Sequence, residues 1–112
     1  MSTIRSPFGT PETIALTATG AQAVTITNDS TIIDGVTVEA TGNRTINLTI
    51  GTDVNIGAQI LVQSKTNGTE TTIFGTGITT ATITGVAGKT INQLFMYNGT
   101  AFVAAGADQQ ID

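Results

Sequence analysis

A chain of 112 residues is long enough for one domain with its own core and too short for two. It holds no Cys and no His, so disulfides, thiolate metal sites and imidazole proton transfer are excluded, and neither an enzyme nor a cofactor is expected. Charged residues are 11% of the chain at a net charge of -4, and Arg5, Arg44, Lys65 and Lys89 are too scattered to track phosphates, so no nucleic-acid partner is expected.

Thr makes up roughly a fifth of the residues; being β-branched and uncharged, it favours extended structure with a hydroxyl surface. Residues 1–12, with Pro7, Gly9 and Pro11, have no period and read as an extended arm whose apolar points are Ile4 and Phe8. Such a terminal segment is suited to lie on a neighbouring protein and order there. The opening Met1-Ser2-Thr3-Ile4-Arg5 lacks a secretory apolar core and no run is long enough to span a membrane, so synthesis in a cytoplasm without a membrane partner is expected.

From Thr13 the chain alternates. Ile14 and Leu16 oppose Thr13, Ala15 and Thr17 until Gly20; Ala23 to Thr27 repeats the pattern and stops at Asn28-Asp29-Ser30. Thr31-Ile32-Ile33 and Val36 to Ala40 flank Asp34-Gly35, a pair that predicts a hairpin turn. Thr45 to Ile50 alternates most clearly, and Ala58 to Lys65 carries the run Ile60-Leu61-Val62 that predicts cover on both faces. Asn67-Gly68 leads to Thr69–Phe74, Ile78 to Thr84 alternates weakly, and Lys89 to Gln93 feeds a final hairpin.

That hairpin, Leu94 to Ala104, is centred on Asn98-Gly99. A two-residue type I′ turn there predicts Phe95 opposite Phe102 and Leu94 opposite Val103, with Phe95, Tyr97 and Phe102 on one face and Leu94, Met96, Ala101 and Val103 on the other. Both faces are apolar, so the hairpin lies inside a sheet covered on both sides or covers its second face with another chain; Leu94, Phe95, Met96, Tyr97, Phe102 and Val103 are the candidate oligomer interface. The pattern as a whole predicts an all-β chain: an arm over 1–12 and, over 13–112, a single antiparallel β-sandwich, jelly-roll-like. No fixed period of about twenty residues or more stands out, so a solenoid is not expected.

Motifs that suggest chemistry have duller explanations. Gly85-Val86-Ala87-Gly88-Lys89-Thr90 resembles the end of a phosphate loop, but Ile83 stands where its first Gly is needed and a strand, not a helix, should follow. The Asn-x-Ser/Thr triplets at Asn28, Asn43, Asn47, Asn67 and Asn98 follow from Asn in turns and Thr everywhere. Asp29, Asp34 and Asp53 match no calcium loop, Glu39 and Glu70 read as solvated acids, and without Trp an aromatic sugar platform is hard to build.

Taken together, Asn43-Arg44-Thr45-Ile46-Asn47-Leu48, Gly57 to Gln63, Ile73-Phe74-Gly75-Thr76-Gly77, Gly88-Lys89-Thr90 and Phe95-Met96-Tyr97-Asn98-Gly99-Thr100-Ala101-Phe102 resemble β-sandwich modules of tailed-bacteriophage structural proteins over about residues 14 to 105. The Trp-Pro element of many such modules is absent. The resemblance implies a non-enzymatic virion component, often a homotrimer: a decoration or cement protein on the capsid exterior bound to the major capsid protein, or alternatively a head- or tail-fibre module that binds a surface glycan. The short stretch ahead of the first strand favours decoration, with Ile4, Pro7, Phe8 and Pro11 as the capsid-docking arm.

Overall fold

The computed structural model describes residues 11–80 and 82–112. Its strands are β1 (Glu12–Ala15), β2 (Gly20–Ile26), β3 (Ser30–Ala40), β4 (Arg44–Ile50), β5 (Gln59–Thr66), β6 (Thr71–Phe74), β7 (Ile78–Thr79), β8 (Ile83–Thr84), β9 (Thr90–Tyr97), β10 (Phe102–Ala104) and β11 (Gln109–Gln110), with no helix among the described residues. One sheet runs β1-β3-β5-β9-β10-β7, with β11 also on β9; the other runs β2-β4-β6-β8. The two-sheet, all-β expectation therefore holds.

The winding is different from the one expected. The first six strands alternate between the sheets, and β1, β3 and β5 are parallel in one while β2, β4 and β6 are parallel in the other. Antiparallel pairing is confined to β5–β9, β9–β10, β9–β11 and β6–β8. The antiparallel, jelly-roll-like expectation is thus corrected to a short parallel solenoid closed by an antiparallel C-terminal part. Parallel neighbours need a long crossover, and here each strand of one sheet serves as the crossover for the other. The breaks at Asn28-Asp29 and at Asn67-Gly68 are corners where the chain changes sheet. Corners of successive coils hold each other: Gly20 N–H donates to Asn43 C=O, Gly51 N–H to Ile26 C=O, Asn67 N–H to Ala40 C=O and Gly75 N–H to Ile46 C=O, at 2.8–3.0 Å. No period shows in the sequence because the coils are unequal: Glu12 lies beside Thr31, but Ser30 lies beside Gln59.

Asp34-Gly35 is not a hairpin. It lies inside β3, where the register against β5 slips after Gly35. The Asp34 carboxylate accepts from the N–H groups of Val36 (2.8 Å) and Thr37 (3.0 Å) and from the Thr37 hydroxyl (2.6 Å), so the side chain bends the strand without reversing it. Gly35 is required by a close approach: a Cβ there would lie 2.8 Å from an Arg44 guanidinium nitrogen and 2.6 Å from the Gln63 carbonyl oxygen.

That guanidinium is the main surprise of the interior. Arg44, which composition places among the surface cations, is fully buried between the sheets. Nη1 donates to the carbonyls of Thr17 (3.3 Å) and Val38 (3.0 Å), and Nη2 to the carbonyls of Gly35 (3.1 Å) and Lys65 (3.3 Å) and to the Ser64 hydroxyl (3.0 Å). The partners come from three successive coils, so one side chain pins the solenoid across its axis. Burial pulls its pKa down from the ordinary value, and the Asp34 charge opposes that pull. Around it the core is aliphatic and aromatic, with Ile26, Ile33, Ile46, Ile60, Val62, Phe95 and Phe102 fully buried and Phe74 edge-on to Phe95 at 5.0 Å.

Candidate interaction face

The terminal hairpin forms, with a wider loop than Asn-Gly predicts. Tyr97 faces Phe102, Met96 faces Val103 and Phe95 faces Ala104. Asn98 N–H donates to Ala101 C=O (3.1 Å), and Asn98 Oδ1 accepts from the N–H groups of Thr100 (2.9 Å) and Ala101 (3.0 Å). A type I′ turn needs positive φ at both central residues; Gly99 has it at 98°, and no described non-Gly residue does. The Asn98 carboxamide instead gathers two N–H groups into a four-residue loop. The slip is even, so every side chain stays on its expected face.

Those faces have different fates. Phe95 and Phe102 are fully buried, and Tyr97 packs against the core, its ring 5.1 Å from that of Phe102. A folded subunit therefore has no Phe95 or Phe102 surface to offer a partner. Leu94 and Met96 remain 36% and 38% exposed on the outside of the larger sheet.

Strand register sets neighbours beside them. One outward row runs Thr13–Ile32–Leu61–Leu94 across β1, β3, β5 and β9. The next runs Gln59–Met96–Val103–Thr79 across β5, β9, β10 and β7. Neither holds a charge. On the other side of the first row lies a polar one, Asp34–Gln63–Asn92–Gln109. The Thr37 hydroxyl and N–H, with the Val36 N–H, hold the Asp34 carboxyl below its ordinary value of 3.8, so this rim carries a charge. Two open grooves cross the rim: one of about 420 Å³ between Ile32, Asp34, Gln63 and Ile111, another of about 340 Å³ between Leu61, Asn92, Leu94 and Gln109. The outside of the smaller sheet contrasts with this, presenting Ala21, Ala23, Thr25, Thr45, Asn47 and Thr49 from its first two strands.

The remaining candidates do not converge. Asp29 accepts from the Asn55 N–H (2.9 Å) and amide (2.7 Å), anchoring the loop before β5; these bonds hold its carboxyl below the ordinary range. Glu39 lies 3.9 Å from Lys65, and Glu70 accepts from the Gly68 N–H at 2.7 Å. Among the described residues no group of three acids could hold a metal. The 85–90 segment is a turn that enters β9, a strand, and Lys89 Nζ donates to the Asp112 carbonyl at 3.3 Å. Loops 51–57 and 85–88 line neither of the two grooves. Of the proposed docking arm, Ile4, Pro7 and Phe8 lie outside the described residues, and Pro11 is exposed immediately before β1. Comparison with protein-family models, with curated proteins and with solved structures returns no match.

Proposed function

We propose that this protein is a non-enzymatic structural component that works by assembling: a homotrimeric decoration or cement protein on the exterior of a tailed-phage capsid, bound to the major capsid protein. The observation that carries the reading is the uncharged pair of rows on the larger sheet, with Leu94 and Met96 exposed at their centre and an amide and carboxylate rim beside them. An apolar, charge-depleted centre with a polar rim is the anatomy of a protein interface. Each of those side chains covered by a neighbour contributes about 25 cal/mol per Å² of apolar area, a gain repeated at every copy of a shell. The sequence resemblance supplies the phage context, and the low surface charge suits cohesion that salt does not screen.

The test has two arms. Leu94→Lys with Met96→Lys should abolish the three-fold association through the larger sheet while the fold persists, and removal of residues 1–10 should leave a folded protein that no longer binds expanded shells. Wild-type protein that ignores shells would refute the decoration role. A fibre-borne glycan-binding module is the second reading, favoured by the two grooves along Asp34, Gln63, Asn92 and Gln109. Glycan-array binding lost in Gln63→Ala would favour it over decoration.

A further inference from the structure

The solenoid has unlike ends. At the C-terminal end the sheets finish on β7 and β8, two residues each. At the other end they finish on β1 and on β2, seven residues long, regular, and free of Pro and of charge. Proteins blunt long edges with short strands, charges, bulges or Pro, and β2 has none of these.

The ladder shows which backbone groups face outward. Gly20 N–H donates to Asn43 C=O and Ile26 C=O accepts from Gly51 N–H, so Gly20, Gln22, Val24 and Ile26 turn their backbone groups toward β4. By alternation, Ala21, Ala23 and Thr25 turn both N–H and C=O to the open edge. In β1, Leu16 N–H donates to Asp34 C=O, which likewise turns Thr13 and Ala15 outward. These five residues are all exposed Ala or Thr, small enough for a second strand to approach. Among the described residues nothing pairs with that side of β2.

We propose that this edge pairs with the same edge of a second copy, β2 antiparallel to β2 about a two-fold axis through Ala23. The register is self-complementary. Ala23 falls opposite Ala23 and Ala21 opposite Thr25, so every outward residue meets an outward residue and each pair exchanges two hydrogen bonds, about six in all. A register moved by one residue would set outward groups against inward ones. Head-to-tail continuation of the smaller sheet is disfavoured because its far edge, β8, is only two residues long and runs antiparallel to β6. The contact is isologous and runs along β2 of the smaller sheet, away from Leu94 and Met96 on the larger one. Two-fold links between three-fold units build an extended coat, so both contacts can serve one assembly, yet neither requires the other.

The chain has no Cys, which makes the test clean. Opposed residues of a hydrogen-bonded antiparallel pair have Cα atoms about 5.5 Å apart, within disulfide range. Under mild oxidation Ala23→Cys should give a disulfide-linked dimer on a denaturing gel, at least about tenfold faster than Thr49→Cys, which is exposed but lies on the interior strand β4. The dimer should persist when Leu94→Lys and Met96→Lys are added. Ala23→Pro, which removes an outward N–H and no bond to β4, should abolish the pairing while circular dichroism and melting stay unchanged. Equal rates for the two Cys variants, or an Ala23→Pro protein with the wild-type mass, would overturn the proposal.

Discussion

Replacing Arg44 by Met keeps most of the volume and removes every donor. Five hydrogen bonds end with it: to the carbonyls of Thr17, Gly35, Val38 and Lys65 and to the Ser64 hydroxyl. Bonds to a charged group are worth about 1.5–3 kcal/mol each, so the gross loss approaches about 10 kcal/mol. Against it stands the several kcal/mol no longer spent on burying a cation without a carboxylate in direct contact. The Gly35 carbonyl and the Ser64 hydroxyl stay buried and lose this donor, while the carbonyls of Thr17, Val38 and Lys65 are only part-buried, which leaves a net destabilisation of about 3–5 kcal/mol. At a urea dependence of about 2 kcal/mol per molar, the denaturation midpoint should fall by about 2 M. Arg44→Lys, with three donors on a narrower head, should fall between the two proteins. An Arg44→Met protein as stable as wild type would refute the reasoning, since it would mean that the carbonyls can relax toward other partners at no cost.

Three further outcomes follow from the same structure. Phe102→Ala should cost about 3–5 kcal/mol by urea denaturation because the ring is fully buried, whereas Val103→Ala, on the outer face, should change stability by under about 1 kcal/mol. Gly35→Ala should destabilise strongly, since its Cβ would collide with the Gln63 carbonyl and the Arg44 guanidinium, and a lowered melting temperature with intact β-sheet dichroism would report it. The Asp34 carboxyl is held below 3.8, so its contribution to stability is complete above that pH and is lost as pH falls through its lower folded value. Urea midpoints measured from pH 5 to pH 2 should therefore decline less steeply in Asp34→Asn than in wild type.

Strand positions were legible in the sequence because alternation is a local signal: Thr45 to Ile50 and Ala58 to Lys65 lie where their side chains predict. Strand partners were not. A corner between sheets and a turn within one draw on the same Gly, Asn and Asp, so the stop at Asn28-Asp29-Ser30 carries no information about which sheet comes next. The hairpin faces survived a wrong turn type because the slip was even. Composition places Arg44 on the surface, yet it occupies an inward position of a strand whose other inward residues are Ile46 and Leu48. A cation in phase with buried aliphatics was the available signal. The outward rows became visible only with the strand register: the parallel β3–β5 ladder sets Ile32 beside Leu61, and the antiparallel β5–β9 ladder sets Leu61 beside Leu94.

The assembly account rests on whether the outer rows of the larger sheet hold copies together, and sedimentation equilibrium of wild type beside the Leu94→Lys, Met96→Lys double variant reads this directly. The wild type should sediment as an oligomer containing three-fold units at micromolar concentration, and the double variant should lose that association and keep its melting temperature. A wild-type protein that stays monomeric at high concentration, or a double variant of unchanged mass, would contradict the account.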